Sequence, residues 1–123
     1  MSKCMYKNRL GRRGELVAKD FLLKKGLSFV KSNYRFERAE IDLIFEDLKE
    51  KTLVFIEVKT RTNKNFGEPE ESVTPLKMEQ IRKAAMGFVS EHEEFDQFFL
   101  RLDVITIMIN GDRVEVNHIE DAF

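Results

Sequence analysis

Apolar residues recur at helical spacing over residues 10–25, where Leu10, Val17, Ala18, Phe21 and Leu22 line one side and Gly26 follows Lys24 and Lys25 as a stop. This predicts a first helix. Glu15 precedes Ala18 and Leu22 by three and seven residues, which puts it at the edge of the apolar stripe, able to lean over a sheet face. Gly11 and Gly14 weaken the first turn, by up to about 1 kcal/mol each relative to alanine, and hint that a backbone or a phosphate comes close. Residues 27–34 then read as a short strand of edge character, leading to the basic segment Arg35-Phe36-Glu37-Arg38. Two further apolar runs, roughly 41–46 and 53–60, read as neighbouring strands joined across a polar hairpin connection. On the second, Val54, Ile56 and Val58 take one face and Leu53, Phe55, Glu57 and Lys59 the other. Residues 61–73 hold Gly67 and Pro69 without periodicity and read as a long loop, a flap beside Lys59. Thr74 is a plausible N-cap with Pro75 at the first helical position, and Met78, Ile81, Ala85, Phe88 and Val89 form the stripe of a second helix. Lys77, Arg82 and Lys83 fall off that stripe, on a solvated side or where they could meet nucleic acid. Residues 98–109 form an apolar strand broken by Arg101 and Asp103, Asn110-Gly111 signals a type I′ hairpin turn, and residues 114–119 return as the last strand. An acid inside such a run needs a partner, and Arg101 is the first candidate for Asp103.

The same alternation gathers chemistry. Glu40 and Asp42 share a face, as do Glu57 and Lys59, and if the hairpin closes near Lys49 and Glu50, Asp42 falls opposite Glu57. Opposed like charges cost free energy unless something positive sits between them. One E-x-K triplet is more often exposed charge on a wet sheet face, but two in register are far less common by chance. Mg²⁺, or Mn²⁺ in its place, takes oxygen ligands from one or two carboxylates, with waters and substrate oxygens completing the shell. Asp42 and Glu57 are the candidates for direct ligation, with Glu40 or Glu15 reaching a second ion or a bound water. Lys59, two residues beyond a ligand on the same face, is placed to hold or deprotonate a nucleophilic water and to offset charge on a phosphate.

At 123 residues the chain is read as one domain over residues 1–123, with no repeat, low-complexity tract or linker to mark a boundary. No stretch reaches the roughly 18 apolar residues of a membrane span, and the opening residues lack an apolar signal region, so no membrane partner and a cytoplasmic location are expected. Cys4 has no second cysteine to pair with, and with only His92 and His118 beside it a structural zinc site is not expected; it reads as part of a mobile terminus. The net charge of −1 conceals an asymmetry: residues 1–38 carry eleven Lys/Arg against three Asp/Glu, and the remainder ten against nineteen. A basic first third feeding an acidic site suits a polyanion such as a phosphate backbone, although an amphipathic helix with lysines on its wet side would look the same. No base-reading element is visible, so backbone and shape recognition with strong salt dependence is expected.

Several blocks together resemble a known family. Gly11-Arg12-Arg13-Gly14-Glu15 followed by Ala18, then Glu40-Ile41-Asp42-Leu43-Ile44, Phe55-Ile56-Glu57-Val58-Lys59-Thr60-Arg61, Arg101-Leu102-Asp103-Val104-Ile105 and a closing Val116-Asn117-His118-Ile119 with Ala122-Phe123 look like the small bacterial YraN family. That family is similar to archaeal Holliday junction resolvases and, by resemblance, to the restriction-endonuclease-like PD-(D/E)xK superfamily. The resemblance implies an α/β fold with a central mixed sheet flanked by helices, and an active site of Glu15, Asp42, Glu57 and Lys59. It implies a metal-dependent endonuclease acting on DNA, branched or irregular DNA included, for which a homodimer would suit two cuts on a symmetric junction. Arg12, Arg13, Arg38, Arg61 and Lys77 are the residues expected on the nucleic acid. A non-catalytic nucleic-acid-binding or adaptor domain on the same fold is the alternative, and a third reading has the charges only as ion pairs between sheet and helix. Family members often carry glycine where this chain has Ala39; if the position needed positive φ, alanine would be strained there.

Overall fold

A computed structural model describes residues 3–62 and 74–122, with side chains from Arg9 onward. Its elements run α1 (Lys3–Lys24), β1 (Ser28–Phe36), β2 (Ala39–Asp47), β3 (Thr52–Thr62), α2 (Pro75–Glu91), a single 3₁₀ turn (Glu93–Phe95), β4 (Phe99–Asn110) and β5 (Arg113–Ile119). The five strands lie in the order β1-β2-β3-β4-β5, antiparallel throughout except for the parallel pair β3 and β4, whose crossover contains α2. This is the mixed α/β sheet with flanking helices expected of a restriction-endonuclease-like fold. No described helix is long and apolar enough to cross a membrane.

The helix ends follow from local chemistry. Gly26 takes φ +93°, its N–H reaching Leu23 O and that of Leu27 reaching Leu22 O, so the last carbonyls of α1 are satisfied in a Schellman arrangement. At the start of α2, Thr74 Oγ1 accepts from the Lys77 N–H at 3.1 Å and Pro75 supplies the first turn. α1 begins earlier than its apolar stripe suggests, at Lys3, so the segment around Cys4 is helical rather than a loose terminus. The expected loop starts later, because Arg61 and Thr62 still belong to β3; the rest of it, residues 63–73, lies outside the described residues. Asn110 pairs with Arg113, and Gly111, with φ +61°, is the one residue of that connection with positive φ, so the turn centres on Gly111-Asp112 rather than the Asn110-Gly111 of a type I′ turn.

Each face of the sheet carries its own core. Ala18 and Leu22 of α1 bury against Leu43, Phe45, Val54, Ile56, Ile105 and Ile107, while Ile81, Ala84, Ala85 and Phe88 of α2 bury against Tyr34, Ile41, Ile44, Leu53 and Phe55. Two glycines let helices sit close: a Cβ on Gly14 would meet Thr60 Oγ1, and one on Gly87 would lie 2.5 Å from the Phe36 ring. Gly11 has no described atom within 4 Å of such a Cβ. Ala39 is buried in the α2 core and is not among the residues with positive φ; Glu37, two places earlier, takes that conformation at φ 55°. The alanine is therefore unstrained.

At the α1 end of β4 and β5, Asp103 is fully buried. Arg101 donates to it twice, from Nε at 2.9 Å and Nη2 at 3.0 Å, His118 Nε2 lies 2.7 Å away, and the Asp121 N–H donates at 2.9 Å. The expected Arg101 partner is present, and both carboxylate oxygens are saturated. This group fastens the chain after β5 to the sheet.

Candidate functional site

The site forms where β2 leaves β3. Their ladder runs from Asp47 opposite Thr52 to Leu43 opposite Ile56 and stops there, one step short of Asp42 and Glu57. Beyond that point Ile41 joins the α2 core whereas Leu43 lies in the α1 core, so β2 bends at the residue between them. Strict alternation would keep Ile41 and Leu43 on one face; the bend overrides it. Asp42 fills the gap so opened, and its Oδ2 accepts the Val58 N–H at 2.7 Å, replacing with a side chain a ladder bond that the strands no longer make.

Four carboxylates share this end of the sheet. Burial pushes the Asp42 carboxyl up to about 7; the Val58 N–H opposes the rise, and Glu57, Glu15 and Glu40 add to it. Glu15, from α1, is also raised, by burial first, with a hydrogen bond from the Asn33 side chain and the nearby Arg12 charge lowering it and Glu40 raising it. Glu57 has a side chain only 12% exposed, and Lys77 Nζ from α2 stands 2.9 Å from its Oε1. Glu40 is tied to Arg35 Nε at 3.1 Å. Lys59 is half-buried, two residues beyond Glu57 on the α2 side of β3. A cleft of about 410 Å³ opens here, bordered by Arg38, Glu40, Asp42, Glu57, Thr74 and Lys77.

The acids that the sequence places together do lie at one end of the sheet, by way of different contacts. Lys77, expected on nucleic acid, lies against Glu57 instead of facing only solvent. Arg38 borders the cleft and Arg12 lies within electrostatic reach of Glu15, whereas the Arg61 guanidinium folds back onto Thr60 O at 3.0 Å. Arg13 is exposed on α1, and no described contact ties it to the cleft. Asn33 beside Glu15 and the pairing of Arg35 with Glu40 do not follow from spacing; the signal for Asn33 is an asparagine inside a strand run, and it takes φ 53°.

Among the described residues, no three His, Cys, Asp or Glu side chains are close enough to hold a metal ion. The donor set nonetheless suits a hard cation that asks for one or two carboxylates and keeps its waters. Asp42 and Glu57 could supply these.

The chain is thus an α/β protein whose mixed sheet is consistent with a restriction-endonuclease-like fold, with an acidic cleft at the fork of its central hairpin. Comparison with known sequences agrees with the YraN resemblance. The profile described as "Uncharacterised protein family UPF0102" matches residues 14–107, and the chain belongs to that family. It is 42% identical over 117 residues to a UPF0102 protein of Caldicellulosiruptor bescii, covering 94% of this chain and 97% of the relative. It is 43% identical to one from Natranaerobius thermophilus, covering 92% and 95%, and 43% identical to one from Prosthecochloris aestuarii, covering 93% and 92%.

Proposed function

We propose that this protein is a metal-dependent endonuclease that hydrolyses phosphodiester bonds in DNA, branched or irregular DNA included. The observation that carries the reading is that Glu40, Asp42 and Glu57 line one cleft with Glu15 of α1 within electrostatic reach of Asp42, that Lys59 follows two residues beyond Glu57, and that burial first, then the neighbouring acids, holds Asp42 back from ionising. Two of these acids already carry a base, Glu57 with Lys77 and Glu40 with Arg35, while Asp42 accepts a backbone N–H, and a divalent cation would favour its charged form. Mg²⁺ or Mn²⁺, when bound, would polarise the phosphoryl oxygen and lower the proton affinity of a water. Asp42 and Glu57 would hold it. Asp42 is kept in position by the Val58 N–H, so its oxygen lone pairs are aimed before any ligand arrives. Glu15 and Glu40 would orient water at the rim. Lys59 would take the proton of the attacking water or hold that water in line, and its charge would oppose the extra charge on phosphorus. Arg38 at the mouth and Arg12 on α1 would receive the flanking phosphates, fixing register without reading bases.

One observation favours a non-catalytic nucleic-acid-binding domain as the second reading: Glu57 already has a counter-ion in Lys77. Cleavage assays separate the two. With Mg²⁺ or Mn²⁺ present, duplex, single-stranded, flap and four-way DNA are incubated with the wild type, Asp42→Ala and Glu57→Ala. Metal-dependent cutting lost in both variants is expected; no cutting of any substrate by the wild type leaves the binding domain in its place.

A further inference from the structure

The contact between Lys77 and Glu57 points to a function of its own. Glu57 is set in the cleft wall, 12% exposed, while the Lys77 side chain that reaches it is 42% exposed and comes from the opposite wall. Lys77 occupies the first turn of α2, where no acidic residue offsets a positive charge that the helix dipole disfavours. Its backbone is pinned by the Thr74 cap, so the main chain is anchored while the four-carbon stem can turn. Arg35, another base paired with a site acid, sits on Glu40 in β1's hairpin, with its side chain 81% exposed.

Resting on the nuclease reading above, we propose that the Lys77 ammonium holds the place of the divalent cation on Glu57, leaves when the cation binds, and then contacts the phosphate that the cation holds. On Glu57 Oε1, where the ammonium now sits, a dication would meet its repulsion at close range in a half-dry cleft. A cation that takes this oxygen would therefore displace the lysine, and by linkage the pair would weaken the cation. The displaced ammonium would stay tethered within a side chain's length of the cleft, within reach of a phosphate oxygen held there by the cation. In the absence of substrate the lysine keeps Glu57 from lying bare beside Asp42.

The test measures Mn²⁺ binding to the whole chain, without nucleic acid, from the loss of free-ion EPR signal. Lys77→Met is compared with the wild type and with Lys24→Met, which removes another ion-paired lysine, here paired with Asp20 on the distant part of α1. Lys77→Met is expected to bind Mn²⁺ about three- to fivefold more tightly, the worth of a partly exposed ion pair, with Lys24→Met unchanged. Lys77→Gln serves as the second variant should the first fail to fold. Affinity that is equal or weaker in the Lys77 variants overturns the placeholder while leaving the metal site standing; no Mn²⁺ binding by any of the proteins overturns the metal reading and this proposal with it. A second arm follows a labelled phosphorothioate duplex by anisotropy in Mn²⁺. Weaker duplex binding by Lys77→Met, despite tighter ion binding, is the expected result, and unchanged duplex binding refutes the phosphate contact.

Discussion

Asp42→Asn offers a direct measure of the electrostatic imbalance in the cleft. The folded carboxyl titrates at about 7 against an ordinary 3.8, so between those values the native state holds a proton that the unfolded chain releases. A group raised in this way contributes stability that is fully present below the unfolded value and lost as pH climbs through the folded one. At about 1.4 kcal/mol for each pH unit, the difference corresponds to roughly 4 kcal/mol above neutrality. Relaxation of water and of the lysines around the charge makes this an upper bound, and half of it, ~2 kcal/mol, is the working expectation. Asparagine keeps the shape, and its Oδ1 can still accept the Val58 N–H, but it carries no charge. The variant should thus be more stable than the wild type at about pH 8, by something like 6 °C or more in Tm for a domain of this size, and nearly equal to it at about pH 4. Urea and thermal unfolding at both pH values give the comparison. Adding Mn²⁺ at the higher pH should then raise the wild type and leave the variant where it was. A variant no more stable at high pH, or a gap that does not change with pH, would refute the claim that Asp42 ionises at a cost.

Lys59→Met should abolish cutting while keeping the Mn²⁺-induced rise in Tm, because the lysine is assigned to water and phosphate and not to the ion; loss of the rise would show a structural role instead. Gly14→Ala should destabilise by about 1–3 kcal/mol, the new Cβ falling against Thr60, whereas Gly11→Ala should stabilise by roughly 0.5–1 kcal/mol, and thermal melts that reverse this order would refute the packing argument. Asp103→Ala strands Arg101, His118 and the Asp121 N–H without their acceptor, so a loss of about 3–5 kcal/mol is expected in urea unfolding; a loss below about 1 kcal/mol would mean the network is incidental.

Much of this arrangement is legible in the residues themselves because β3 alternates strictly. Val54, Ile56 and Val58 could only face one helix, and Leu53, Phe55, Glu57 and Lys59 the other. The polar connection then sets a register in which Asp42 approaches Glu57. Helix two was readable for a similar reason, since Thr74 and Pro75 are local signals that need no tertiary context. The bend of β2 is different: Ile41 and Leu43 look equivalent in sequence, and only the separate packing of α1 and α2 divides them. The pairing of Lys77 with Glu57 joins residues on either side of an aperiodic segment, and no rule of spacing reports it. Asn33 beside Glu15 likewise depends on where α1 crosses the sheet.

The unequal support of the two site strands decides which wall can yield. β3 is bonded to β4 at every step from Thr52 to Thr62, so Glu57 and Lys59 ride on a spine stitched along its whole length. The opening residues of β2 keep their backbone ladder to β1 but not to β3, where the Asp42 carboxylate on the Val58 N–H is the bond that replaces it, leaving Glu40 on a leaf held mainly along one margin. Amide exchange should accordingly be slower at 57–59 than at 40–42. Of the two walls, the β2 side is the jaw that can adjust and β3 the fixed anvil.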